Sequence, residues 1–152
     1  MPIKILAVGK KHESWVIEGI ERYEKRLRPP FNSEWVLIGH SGFEADRASQ
    51  EESERILSRL SPGDYVVLLD EVGKMLTSPT LSSILATQFN NSRQVVFVIG
   101  GAYGVNDAVR QRADLVWSLS NLVLPHQLVR LVLTEQIYRS QSIQNNSSYH
   151  HD

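Results

Sequence analysis

Cysteine is absent from the 152-residue chain. Disulfides, thiolate nucleophiles and cysteine-based zinc sites are therefore excluded. Long apolar runs are missing too, the longest being a few residues against the roughly 20 that a membrane span needs. MPIKILAVGK alternates like a strand and carries no basic leader followed by an apolar core. A cytoplasmic protein without membrane contact is the expectation. Charge of one sign is also lacking: the net charge is −1, which argues against a generic nucleic-acid glove. No repeat or low-complexity linker divides the chain, so a single domain over residues 1–152 is expected.

What is present is unevenly placed. Residues 1–30 hold seven Lys/Arg against four Glu, whereas residues 44–71 hold eight Asp/Glu against three Arg. The basic end contains Lys10, Lys11, Arg22, Lys25, Arg26 and Arg28. Such a stretch is either a solvated helix face or an RNA-facing pole.

Strand and helix patterns alternate. Ile3–Val8 reads as a strand, Trp15–Leu27 as a helix ended by Pro29-Pro30, and Trp35–Ile38 as a second strand. A Gly-, Ser- and acid-rich loop, about His40–Ser49, precedes a helix bearing Ile56, Leu57 and Leu60. Tyr65–Leu69 is a third strand. Ser78 caps the next helix, with Pro79 in its first turn. Val95–Ile99, a short helix near Asn106–Ala113 and a strand over Leu115–Leu119 follow. The alternation predicts an α/β fold, a mainly parallel sheet with helices on both faces. Ligands in such sheets gather beyond the carboxyl ends of the strands, here Gly9, Leu69-Asp70, Gly100-Gly101 and Ser118–Ser120.

The last helix, LPHQLVRLVLTEQIYRSQ, is apolar almost all round at Leu128, Val129, Leu131, Val132 and Leu133. One stripe suffices for a surface helix. A central position or a dimer interface would explain the rest, and the dimer is the favoured reading.

Few residues announce chemistry. G-x-S-x-G is missing and the histidines are scattered. His150-His151-Asp152 could touch a metal, but a short polar end is more simply a frayed terminus; no metal is expected. His126, next to Pro125, reads as a capping or hydrogen-bonding residue. The stretch QVVFVIGGAYGV is the most pointed feature. A strand runs into Gly100-Gly101 and then Gly104, which is the wrong order for a dinucleotide fingerprint. No lysine follows these glycines anywhere, which rules out a P-loop. GKKHES after the first strand is likewise too poor in hydroxyls for a flavin-type phosphate loop. A nucleoside-type ligand such as S-adenosylmethionine would suit a bare backbone and few catalytic groups. A tight turn is the simpler account on spacing alone.

Several segments in order resemble the RlmH family of ribosomal RNA large-subunit methyltransferases, within the SPOUT superfamily. They are KILAVGK (residues 4–10), ERYEKRL (21–27), LLDEVGKMLTS (68–78), FVIGGAYGV (97–105), SLSNLVLPHQLVRLVLTEQIYRSQSI (118–143) and the terminal YHHD. The likeness spans the chain, with only the region around residues 40–55 unremarkable.

The resemblance implies a C-terminal trefoil knot, an exception to the rule that chains are not threaded. It implies a homodimer that binds S-adenosylmethionine and methylates N3 of a pseudouridine in the 23S RNA of assembled 70S ribosomes. The cofactor positions fall on Leu69, Gly100, Gly101, Ser120, Asn121, Leu122, Val123, Leu124 and Pro125, with the glycines leaving room for the ligand. Tyr149, His150 and Arg139 would position the target base. Arg22, Lys25, Arg26, Arg130 and His151 would meet RNA, His151 standing where the family commonly has Lys or Arg. Without a separate RNA module, such an enzyme would recognise an assembled particle by shape. A related methyltransferase with another RNA target, or a non-catalytic nucleotide-binding module, are the alternatives.

Overall fold

A computed structural model describes residues 1–151; Asp152, part of the expected tail, lies outside the described residues. The elements run β1 (Ile3–Val8), α1 (Ser14–Glu24), β2 (Ser33–Ile38), α2 (Ala45–Leu57), β3 (Tyr65–Met75), α3 (Ser78–Asn90), β4 (Val95–Ile99), α4 (Asp107–Arg112), β5 (Leu115–Ser118) and α5 (His126–Gln144). The strands form one sheet in the order β2-β1-β4-β3-β5. Every pairing is parallel. The expected α/β architecture is therefore present.

Strands buried on both faces read as unbroken apolar runs, and β4 is buried from end to end. Ile3, Ile5 and Ala7 of β1 face a core shared with Leu81 and Leu85 of α3 and Leu133 and Ile137 of α5. Leu6 and Val8 face the opposite core, with Ile56 of α2 and Val109 of α4. Helices cover both faces, as expected.

The terminal helix is central in its layer. α5 packs against both α1 and α3. Gly19 of α1 permits the first contact, because a Cβ there would come within 2.8 Å of Leu131. Hydrogen bonds sew both seams: Gln141 Nε2 donates to the Arg26 carbonyl at 2.9 Å, and Ser82 Oγ to the Ser140 carbonyl at 3.0 Å. Much of the all-round apolar character that favoured a dimer is thus absorbed within the chain.

Three boundaries differ from the sequence reading. α2 begins at Ala45, so half of the expected loop is helix; Asp46 suits a first turn and Ala48 is buried. Thr77, not Ser78, caps α3: Thr77 Oγ1 accepts from the Thr80 N–H at 3.2 Å, while Ser78 Oγ donates to Gln136. β3 continues to Met75 beyond an irregularity between Leu69 and Lys74. Gly73 makes that return possible, since a Cβ would lie 2.7 Å from the Val116 backbone. Asp70–Val72 therefore swing outward, beside the carboxyl end of the sheet.

Candidate active site

A cleft of about 700 Å³ opens beyond the carboxyl ends of β3, β4 and β5. One wall is the irregular stretch of β3 from Leu69 to Val72; a second is the glycine loop from Gly100 to Val105. The loop leading into α5, with His126 and Val129 from its first turn, closes the third side. Of the expected cofactor positions, Leu69, Gly100, Gly101, Ser120, Leu122, Val123 and Leu124 line this space. Asn121 is exposed beside it and Pro125 stands at the N-cap of α5; neither lines the cleft.

Local chemistry shapes each wall. Ser118 Oγ donates to the Ser120 carbonyl at 2.9 Å, and Ser120 Oγ accepts from the Leu122 N–H at 2.9 Å. The two bonds wind the loop tightly and turn Leu122 and Val123 outward. Asp70 accepts from the Val72 N–H at 3.1 Å and lies 3.5 Å from Arg110 of α4.

The glycines also answer to packing within the chain. A Cβ at Gly100 would lie 2.9 Å from Val105, and one at Gly101 would lie 2.6 Å from Glu52 Oε1 and 3.1 Å from Val8. The space that a side chain would need is filled by the protein itself. Gly104, at φ +73°, completes the turn by donating its N–H to the Gly101 carbonyl at 3.0 Å.

The loop rests on α2, in the stretch that looked unremarkable. Ser49 Oγ donates to the Gly104 carbonyl at 3.3 Å, and Ser53 Oγ accepts from the Asn106 N–H at 2.9 Å. Asn106 Nδ2 donates to Gln50 at 3.0 Å. Glu52 is 4 % exposed; its Oε2 accepts from the Ser41 N–H at 2.7 Å, while Oε1 has no hydrogen-bond partner among the described residues. A signal existed: Ala48, Glu52 and Ile56 repeat every four residues, the spacing of one helix face.

Tyr149, His150 and Arg139 are brought together as expected, but around a residue that was missed. Glu135 Oε1 is 2.7 Å from Arg139 Nη2 and accepts from the Tyr149 hydroxyl at 3.0 Å. Arg139 Nη1 lies 3.0 Å from His150 Nδ1, and its guanidinium sits 4.7 Å over the Tyr149 ring. Burial, then hydrogen bonds with Tyr23 and Glu135, push the Tyr149 hydroxyl well above its ordinary pKa. Glu135 was legible only as a four-residue pair with Arg139. Along α5, nine residues separate His126 from Glu135, a rise of about 14 Å. Glu135, Arg139, Tyr149 and His150 are not among the residues that line the cleft.

The expected RNA contacts divide. Arg22 of α1, Lys25 and Arg26 just past its end, and His151 are exposed. Arg130 is a correction: it is 0 % exposed. Its Nη1 donates to the Lys10 carbonyl at 2.9 Å and lies 3.0 Å from His12 Nδ1, so it braces the β1–α1 loop from inside.

A family model described as "Predicted SPOUT methyltransferase" matches residues 1–150. The chain belongs to this family. Proteins named "Ribosomal RNA large subunit methyltransferase H" are similar to it over essentially their full length. The one from Desulfitobacterium hafniense (strain DSM 10664 / DCB-2) is 40% identical over 158 residues, covering 99% of both chains. Those from Geobacter sp. (strain M21) and Parabacteroides distasonis are 44% and 38% identical, each covering 100% of both chains. The resemblance drawn from the motifs is borne out.

Proposed function

We propose that the protein is an S-adenosylmethionine-dependent methyltransferase of the large-subunit ribosomal RNA, acting on N3 of a pseudouridine. The supporting observation is the cleft between the glycine loop and the 119–125 loop, in a chain that matches the family throughout. Its size lies within the range of pockets that enclose small ligands. Ile99, Trp117, Leu119 and Val129 supply apolar surface for a nucleoside, and loop peptides supply hydrogen-bonding groups. When bound, the cofactor supplies a methyl group activated by its sulfonium.

The chain's own residues align the acceptor. Tyr149 offers a ring to the target base, and Arg139 orients His150 through Nδ1. Because Glu135, which holds the tail, stands about 14 Å along α5 from His126 at the cleft, we read the functional unit as a homodimer. Each tail would then serve the partner's cleft. The half-buried Leu128 and Val132 of α5 are candidate interface positions. Arg22, Lys25, Arg26 and His151 face the phosphates of a 70S ribosome in the cytoplasm, and a trefoil knot in the C-terminal part is part of the same reading.

The test is methyl transfer to ribosomes from cells lacking this protein, followed by nucleoside mass spectrometry. The expected product is 3-methylpseudouridine in the 23S RNA. Transfer to another nucleotide would replace the proposed target, and no transfer would remove the catalytic reading.

A further inference from the structure

His126 is the first residue of α5 and lines the cleft with Trp117, Leu119 and Val129. Its Nε2 is buried and has no hydrogen-bond partner among the described residues. Buried polar atoms are paired in folded proteins, so such an atom beside a cleft calls for a partner from the ligand. The ring sits beside Gly9, just past the end of β1. Its Cε1 lies 3.8 Å from where a Cβ of Gly9 would stand, and Gly9 has a φ of +130°, which strains any other residue. Arg130 follows one turn later on the same helix face and is locked to Lys10 and His12.

The imidazole's charge state narrows what it recognises. Burial, and secondarily the Arg130 charge, lower its pKa from 6.5 to about 4. At neutral pH the ring therefore offers one N–H and one lone pair but no charge. A carboxylate calls for a cation, whereas a neutral imidazole among apolar side chains suits a hydroxyl or amine.

We propose that His126 contacts the ligand, its Nε2 hydrogen-bonding the nucleoside half of the cofactor at a ribose hydroxyl or the adenine edge. This rests on the reading of the cleft given above. Arg130 acts as a positioning residue that keeps the ring facing inward.

Calorimetric titration with S-adenosylmethionine and with 5′-methylthioadenosine, which lacks the amino-acid half, tests this. His126→Phe keeps a flat ring and removes the polar nitrogen; both affinities should fall about tenfold, the typical cost of one lost hydrogen bond. His126→Gln places a polar atom near Nε2 and should recover most of that loss. Unchanged 5′-methylthioadenosine affinity in a folded His126→Phe protein overturns the contact. Should that variant not fold, nitrogen NMR of the unmodified protein decides. The His126 Nε2 resonance should move on addition of 5′-methylthioadenosine, and a resonance that stays put while the ligand binds overturns the proposal. If the unmodified protein binds neither ligand, the cofactor reading of the cleft fails first and takes the contact with it.

Discussion

Glu52 occupies the place that a side chain at Gly101 would need, with its Oε1 2.6 Å from the ideal Cβ position. One buried carboxylate therefore crowds Gly101 in the loop that follows β4. Replacing Gly101 by Ala should destabilise the fold by about 1–3 kcal/mol through overpacking and weaken S-adenosylmethionine binding by displacing the loop. Glu52→Ala opens the same space, so the double variant should recover part of the loss of Gly101→Ala. Thermal unfolding of the two single variants and the double variant checks the coupling. Simple additivity would show that the two residues do not compete.

The His126 imidazole makes stability depend on mild acid. Its folded-state pKa, about 4, lies below the ordinary value of 6.5. Between those values the unfolded chain binds more protons, so stability rises with pH. The contribution is complete above pH 6.5 and is lost as the pH falls towards 4. Burial of His12 lowers its pKa too and acts in the same direction. In His126→Gln the slope of unfolding free energy over this window should be smaller than in the unmodified protein. Equal slopes in denaturant titrations at pH 4.5, 5.5 and 6.5 would contradict the assignment.

The tail is held by Glu135. Glu135→Ala removes the acceptor of the Tyr149 hydroxyl and the partner of Arg139 together. Folding and cofactor affinity should change little, while methyl transfer to ribosomes falls about a hundredfold or more, of the order of losing a positioned catalytic group. Tyr149→Phe should be milder, because the edge contact with Tyr138, 4.8 Å between centroids, survives. Deleting residues 149–152 should match or exceed the Glu135→Ala loss. Full turnover by the truncated chain would detach the tail from catalysis.

Arg130 and Lys25 should separate in a salt titration. Lys25 is exposed and Arg130 is not. Lys25→Ala should weaken ribosome binding and flatten its dependence on salt by about one counterion. Arg130→Met should leave that slope unchanged while loosening the β1–α1 loop, visible as faster amide exchange at residues 10–12. A lower slope for Arg130→Met would return that side chain to the RNA surface.

With a net charge of −1, the protein should turn over assembled ribosomes far better than naked RNA. Steady-state rates on a free stem-loop transcript and on ribosomes make the comparison. Equal rates would show that local sequence, rather than particle shape, supplies recognition.

Why some of this was legible in the sequence is a matter of range. β1 and β4 are buried on both faces, so their apolar runs announce themselves locally. The Leu69, glycine-loop and 120–124 segments were placed by resemblance, and they meet in one cleft. Glu52 was hidden within a run of acids, because its burial depends on Ser41 and Gly101, which only the folded sheet brings together. Arg130 was misread for a similar reason: a cation on a helix is ordinarily solvated, and nothing near it in sequence reveals that the β1–α1 loop covers it. Its spacing from Leu133 and Ile137, buried on the same face of α5, was the available clue. The place of α5 between α1 and α3 was left open because it follows from strand order, which periodicity does not encode.

α5 works as a ruler of fixed length. His126 stands at the cleft and Glu135 and Arg139 hold the tail, with both seams of the helix pinned to α1 and α3. Adding or removing one residue between those stations would shift the far one by 1.5 Å and turn it by about 100° around the axis. The tail would then leave a different side of the helix and lose its set relation to the cleft. The exposed residues 42–44 before α2 are tied only locally, Phe43 by its N–H to Ser41 Oγ and by the Arg47 guanidinium over its ring. Length changes should be better accommodated there, whereas within α5 even a single residue would put the two stations out of phase.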